Sequence, residues 1–263
     1  VDSDRSVVRF KKGVAHYRRA RENLTKEERN LRLPPEQRQE REVNFDETPR
    51  ADFAKVKESL RGYGTLYPQS PYVPEAHYLL ALTYEQLNQD EESVAELLKL
   101  LKEADFNPEL IISREKSRTL RDRDQLALNK LKGVWNFWKK KTGNYLANKF
   151  FEDNEYFNAY RIYTALRDVD RSPSWQLPIL YQIALCEEKL GNYVQAMETY
   201  TSIEEYINSE EDAREGMVNN EYLKFVYGMV KWRRDQLEDT RSIRQAVNRY
   251  GIYTIPGKSN SEL

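Results

Sequence analysis

One spacing recurs along this chain and narrows what it can fold into: an anchor residue, then residues three, seven and ten positions later. The copies are Asp90-Ser93-Leu97-Leu100, Tyr156-Ala159-Tyr163-Leu166 and Tyr193-Ala196-Tyr200-Ile203, with a weaker one at Phe53-Val56-Leu60-Tyr63. Residues three, seven and ten apart share one face of an α-helix. A single buried helical face repeated along a chain predicts a solenoid, a stack of similar units each leaning on its neighbours.

Each copy has a mate upstream. Twelve residues before the small member lies another small residue: Ala81 before Ser93, Ala147 before Ala159, Ala184 before Ala196. Each of these follows a large apolar residue, Leu80, Leu146 or Ile183. Every unit therefore reads as two helices joined by a short turn, at Asn88-Gln89, Asp153-Asn154 and Gly191-Asn192. Small residues let two helix backbones approach closely while large ones fill the space around them.

Along the chain, residues 6–24 read as a helix with Val7, Phe10, Val14 and Tyr17 on one face. Residues 25–50 are charged and carry Pro34-Pro35 and Pro49, which predicts an extended excursion before a second helix over 51–66. Prolines punctuate two breaks, Tyr67–Ala76 and Asp170–Pro178, because proline suits a first helical turn and not an interior. An insert at 107–140 starts charged (Arg114 to Asp124) and turns apolar at Leu126, Leu128, Leu131, Val134, Trp135 and Trp138, feeding a long helix that ends near Phe151. After an acidic turn at Glu210-Glu211-Asp212, a last helix over 218–237 carries Tyr222, Phe225, Val226, Met229, Val230 and Trp232 as its apolar face and caps the stack. The tail from 251 reads as disordered.

Few residues speak for chemistry. The lone Cys186 excludes an intrachain disulfide framework, and with His16 and His77 both in other units it reads as a buried packing residue. His16 and His77 sit far apart in sequence with no second ligand at metal spacing, so they imply no metal site. Adjacent carboxylates such as Glu187-Glu188 and Glu210-Glu211 point in different directions on a helix and make no acid–base pair by spacing alone. Phosphate-loop, metalloprotease and nucleophile-elbow motifs are missing, so no catalytic residue and no cofactor is expected. A net charge of −1 gives no reason to expect nucleic acid, and Lys139-Lys140-Lys141 and Lys231-Trp232-Arg233-Arg234 read as polar ends of amphipathic helices.

The run Ile183-Ala184, Gly191-Asn192-Tyr193, Ala196, Tyr200, Ile203 resembles the tetratricopeptide repeat, as does Leu146-Ala147, Phe150, Tyr156, Ala159, Tyr163. The likeness covers about residues 51–105 and 140–207 and departs from the family at Glu187, where an aromatic is usual. It implies an all-α right-handed superhelix of helical hairpins with a capping C-terminal helix. It also implies a concave groove on the first helices, at Tyr78, Leu82 and Glu85, then Asn144, Asn148 and Phe151, then Tyr181, Leu185 and Glu188. Tyr67-Pro68-Gln69-Ser70-Pro71-Tyr72 and Tyr145–Phe151 are further similar to BamD-like outer-membrane lipoproteins of the β-barrel assembly machinery.

The combined expectation is one solenoid over 1–250 with insertions at 25–50 and 107–140, and a tail at 251–263. By resemblance its function is a non-enzymatic scaffold at the periplasmic face of the outer membrane, binding envelope or membrane proteins or their peptide segments. Membrane attachment is then expected only through a lipid anchor removed ahead of Val1. The alternatives are a periplasmic adaptor for cell-wall or envelope complexes and a helical domain of a larger enzyme.

Overall fold

The computed structural model describes residues 2–38, 48–68, 70–101, 122–209 and 211–250, and every regular element among them is helical. The α-helices are α1 (Asp2–Arg32), α2 (Pro49–Leu60), α3 (Tyr63–Leu66), α4 (Val73–Gln86), α5 (Asp90–Leu101) and α6 (Asp122–Glu152). They continue as α7 (Tyr156–Arg167), α8 (Pro173–Lys189), α9 (Tyr193–Ser209), α10 (Glu211–Val218) and α11 (Glu221–Tyr250). The fold is that of a helical-repeat solenoid, and its packing divides it into two compact units, Val1–Leu146 and Ala147–Leu263.

The repeat has a structural cause visible at its turns. Seven residues after each first small residue stands Asn88, Asn154 or Gly191, and all three have positive φ, at 59°, 65° and 79°. In each, the next residue's N–H bonds a carbonyl five residues back: Gln89 to Tyr84 at 2.8 Å, Glu155 to Phe150 at 2.7 Å, Asn192 to Glu187 at 2.8 Å. This left-handed helix stop reverses the chain within two or three residues and satisfies the carbonyls that the first helix leaves open. Asn and Gly tolerate that conformation best. Ala81, Ser93, Ala147, Ala159, Ala184 and Ala196 are all fully buried, as the pairing of small residues requires.

In the first unit, α1 packs on α2 and α4 on α5. Phe53, Val56, Leu60 and Tyr63 are buried even though the chain leaves helix at Arg61 and Gly62 takes a positive φ of 70°. Gly13 of α1 lies against Leu60, so close that a Cβ there would come within 2.5 Å of the leucine side chain. Polar stitches fix the same contact. Arg9 donates from Nε to the Ser59 carbonyl at 2.7 Å, closing the end of α2, and buried Asp52 accepts from Arg19 Nε at 2.9 Å and from Asn23 at 3.2 Å. Thr48 caps α2 by accepting from the Ala51 N–H at 3.1 Å, with Pro49 in the first turn. After α3 the Ser70 hydroxyl meets Tyr63 Oη at 2.9 Å, while Tyr72 stacks on Phe10 at 4.5 Å.

In the second unit, Ala159, Tyr163 and Leu166 of α7 pack with Ile179, Ile183 and Cys186 of α8. Further along, Leu177 and Ala184 of α8 pack with Ala196, Tyr200, Ile203 and Ile207 of α9 and with Leu223 and Val230 of α11. The Trp175 indole donates to the Leu166 carbonyl at 2.9 Å and closes the end of α7. Arg233 reaches Glu188 on α8 at 3.3 Å and Arg234 bonds Glu204 on α9, so α11 is fastened to both.

Several sequence expectations are corrected. The first helix runs to Arg32, not 24, because Thr25–Arg32 is built of residues that favour helix, and the Thr25 hydroxyl folds back onto the Arg21 carbonyl. The helix expected over 51–66 is broken at Gly62. Pro178 lies inside α8, where a second-turn proline removes one hydrogen bond without ending the helix. The acidic turn after 210 is the helix α10, and α11 extends to Tyr250 instead of 237. Of its expected apolar face, only Val226 and Val230 are buried; Leu223 joins them, and Tyr222, Phe225 and Trp232 face outward. Residues 39–47, the insert up to 121 and the tail from 251 lie outside the described residues, as do the side chains of Leu126, Leu128 and Leu131.

Three measurements test this packing. Ala159→Glu or Ala196→Glu forces a charge into a closed helix contact and should lower unfolding free energy by several kcal/mol, on the order of 3 or more, read by denaturant titration. Gly191→Val should cost about 1–2 kcal/mol for a side chain in the left-handed region, whereas Asn154→Gly should cost nothing. Buried carboxylates supply the third. Burial pushes Glu187 up from the ordinary carboxylate range, outweighing the hydrogen bond from Thr199. A carboxyl whose folded pKa is raised disfavours the fold once ionised. Glu187→Gln should therefore raise the melting temperature at neutral pH, and the gain should shrink as pH falls through the raised folded pKa.

Candidate partner-binding surfaces

In the first unit the groove positions turn inward. Tyr78 is only 8% exposed. Its ring lies 5.3 Å from Trp138 and 6.1 Å from Tyr145, with Lys141 Nζ 4.7 Å above it. Glu85 accepts hydrogen bonds from Tyr145 Oη and from Ser93 Oγ. Burial and that carboxylate push the Tyr145 hydroxyl up from its ordinary range. Leu82 and Asn144 are half-buried. The long helix α6 thus covers the face of α4, and its Trp135 and Trp138 are buried.

In the second unit Asn148 is exposed and accepts from Tyr163 Oη at 2.5 Å, and half-buried Phe151 meets Tyr156 edge-on at 5.2 Å. Tyr181 packs on Tyr200 at 6.2 Å, with the Arg233 guanidinium nearby. Glu188 accepts from Tyr200 Oη at 2.6 Å and from Arg233. The face of α8 on which Tyr181 and Glu188 stand is therefore occupied by the chain's own α11, and Leu185 between them is half-buried.

The titratable groups elsewhere act as internal fasteners. His77 Nδ1 lies 2.5 Å from Glu96 Oε2, joining α4 to α5, and Lys99 bonds the other oxygen of Glu96 at 2.7 Å. Burial raises the Glu96 pKa, but the bonds from His77 and Lys99 prevail and hold it below the ordinary range. His16 is lowered by burial and by the nearby Arg19 and Lys12. Cys186 is fully buried, and burial together with the Glu187 charge pushes its thiol up to about 12. Among the described residues no group of three metal-ligating side chains converges.

Two exposed apolar surfaces went unread in the sequence, both in the second unit. One is a cavity of about 630 Å³ between α9 and α11, walled by Tyr193, Val194, Met197 and Leu237 with Glu198, Thr240, Arg241 and Gln245 at its margin. Tyr193 and Val194 are 45% and 65% exposed. Tyr193 was an anchor of the repeated face; the signal against burying it is that the same position holds Asp90 in another copy. The other surface is the outward side of α11, bearing Tyr222, Phe225 and Trp232.

Thiol reagents should label Cys186 in the folded protein far more slowly than in denaturant, because a protonated and buried sulfur is a poor nucleophile. Cys186→Ala should preserve partner binding. Acid should loosen the α4–α5 hairpin: Glu96 is a carboxyl with a lowered folded pKa, so its stabilisation holds above the ordinary carboxylate range and is lost as pH falls through the lowered value. Glu96→Gln should remove this acid-sensitive component from an unfolding curve followed against pH.

Comparison with known proteins points the same way as the packing. No curated protein matches the sequence. The family model of the tetratricopeptide repeat matches residues 74–106, which takes in the α4–α5 hairpin. That hairpin shares its small-residue pair and its left-handed turn with α8–α9. The chain thus carries a tetratricopeptide repeat within an all-α helical-repeat fold.

Proposed function

We propose that this chain is a non-enzymatic scaffold that binds another protein, and that the cavity between α9 and α11 receives an apolar side chain of that partner. The cavity carries the reading. It is open, walled by exposed Tyr193 and Val194, and bordered by Arg241 and Glu198, which can orient a peptide backbone or a polar flank. Apolar grooves with a polar margin suit an extended peptide or an amphipathic helix. The predicted groove positions Phe151 and Leu185 are half-buried and remain secondary contacts in this reading.

The finer proposal is a role in the bacterial cell envelope, at the periplasmic face of the outer membrane, in support of β-barrel protein assembly. It rests on the resemblance of Tyr67–Tyr72 and Tyr145–Phe151 to BamD-like lipoproteins, in a chain where a tetratricopeptide match adjoins the first of these segments. A photo-crosslinking residue placed at Val194 in cells should trap an envelope or outer-membrane protein, and the same probe at exposed Arg50 should not. Tyr193→Ala with Val194→Ala should reduce the yield at a neighbouring probe by about tenfold or more. Identical products from both probe positions would remove the cavity from consideration. Partners confined to the cytoplasm would remove the envelope role and leave the scaffold.

A further inference from the structure

The cavity between α9 and α11 lies close to the end of α11. The two helices run antiparallel: Leu223 and Val230 share a cluster with Ile207 and Ile203, Arg234 bonds Glu204, and Leu237 to Gln245 stand across from Met197, Val194 and Tyr193. The cavity therefore sits beside the first turns of α9. Past it α11 continues only from Gln245 to Tyr250, about 7.5 Å of helix at 1.5 Å per residue. The residues that follow are Gly251-Ile252-Tyr253-Thr254-Ile255-Pro256-Gly257-Lys258. Ile252, Tyr253 and Ile255 are large and apolar, unlike the polar Ser259-Asn260-Ser261-Glu262 after them. Glycine directly after a helix suits the left-handed stop, the part Gly191 plays after α8. Ile, Tyr and Thr favour extended backbone, and the residue before a proline is held there as well.

We infer that this segment folds back at Gly251 and seats Tyr253 and Ile255 in the cavity, so that the chain occupies its own partner site until a partner displaces it. The inference rests on the reading of that cavity as a binding site. Reach, side-chain alternation and charge all support it. An extended chain covers about 3.3 Å per residue, and alternate residues share a face. From Gly251, Tyr253 returns to the level of Gln245 and Tyr193, and Ile255 to the level of Arg241 and Met197. These two share the face turned to the cavity, with Ile252 and Thr254 on the other. Beyond Pro256-Gly257, Lys258 comes within reach of Glu198 and of Glu238 in the adjoining recess, two carboxylates that suit its charge. The exposed stripe of Tyr222, Phe225 and Trp232 is no competing seat, because Trp232 lies about 27 Å back along α11, farther than Ile255 can return. A segment joined to α11 by one residue acts at an effective concentration on the order of millimolar, so a contact too weak to hold two separate molecules together still fills the site. A partner then binds with an affinity reduced by the fraction of chains whose cavity is free.

The direct test places a photo-crosslinking residue at Val194 in the purified chain and maps the product after trypsin digestion. The link should join the peptide carrying Val194 to Tyr250–Lys258 of the same chain, in a product of one-chain mass. A probe at Phe225 should not give that link. Ile252→Ser, Tyr253→Ser and Ile255→Ser together should abolish it. The same triple variant should raise the fluorescence of added 1-anilinonaphthalene-8-sulfonate by about twofold or more as the cavity opens, and Val194→Asp added to it should cancel the rise. In cells the triple variant should increase the yield of partner trapped at Val194 by about threefold or more. A Val194 probe that never reaches the tail peptide overturns the inference, as does one that reaches it only in a two-chain product, which would make a second copy the occupant. A triple variant with unchanged dye binding and unchanged partner yield overturns it too. If partners are still trapped at Val194 in those cases, this inference fails alone and the partner site stands. An intrachain link with no partner trapped even by the triple variant overturns the partner site and the regulation together.

Discussion

The close contact of two small residues, one from each helix of a hairpin, is the constraint from which the rest of this fold follows. Ala81 with Ser93, Ala147 with Ala159 and Ala184 with Ala196 are each fully buried. Helices brought that near must be joined by a turn of two or three residues. A turn that short must stop the first helix in the left-handed conformation, and that requirement selects Asn88, Asn154 and Gly191. The larger residues then have fixed places. Leu97 and Leu100, Tyr163 and Leu166, and Tyr200 and Ile203 all close over the small pair from the second helix.

The polar groups caught inside this packing show how much the hairpins tolerate. Asp52 is fully buried but receives Arg19 and Asn23, and Glu96 receives His77 and Lys99. Glu187 receives Thr199 from the facing helix at 2.8 Å. A buried carboxylate with partners is close to neutral in energy and specifies alignment, because sliding one helix past the other by a turn would strand the charge. Glu96 and Glu187 shift in opposite directions since the first has cationic donors and the second has one hydroxyl. The departure from the repeat at Glu187 is therefore a stitch between α8 and α9 held at some electrostatic expense.

The fold was legible in the sequence wherever side-chain size carried the information. The small pairs, the three turns and the buried Tyr163 and Tyr200 are all readable from spacing. Boundaries were less so: the pattern of Val7, Phe10, Val14 and Tyr17 ends well before α1 does, because the helix beyond it is held by local propensity and not by burial. The sites were harder to read. A groove position is defined by its direction from the hairpin, and Tyr78 and Tyr181 do point that way. What periodicity cannot supply is what stands opposite, and α6 and α11 respectively fill that space. On α11 two adjoining stripes, Leu223-Val226-Val230 and Tyr222-Phe225-Met229-Trp232, are both apolar at helical spacing, so periodicity alone could not say which one is buried.

This ambiguity follows from the architecture. In a stack whose units touch only their neighbours, each first helix is sandwiched, and its exposed face becomes the contact surface of the next. The residues that a family pattern marks for binding are then consumed internally along the row. Tyr78, Tyr181 and Phe225 occupy one register position on three helices, and among the described residues α6 covers the first and α11 the second while Phe225 stays exposed. Position along the array, more than residue type, decides which of these aromatics is packed and which is exposed.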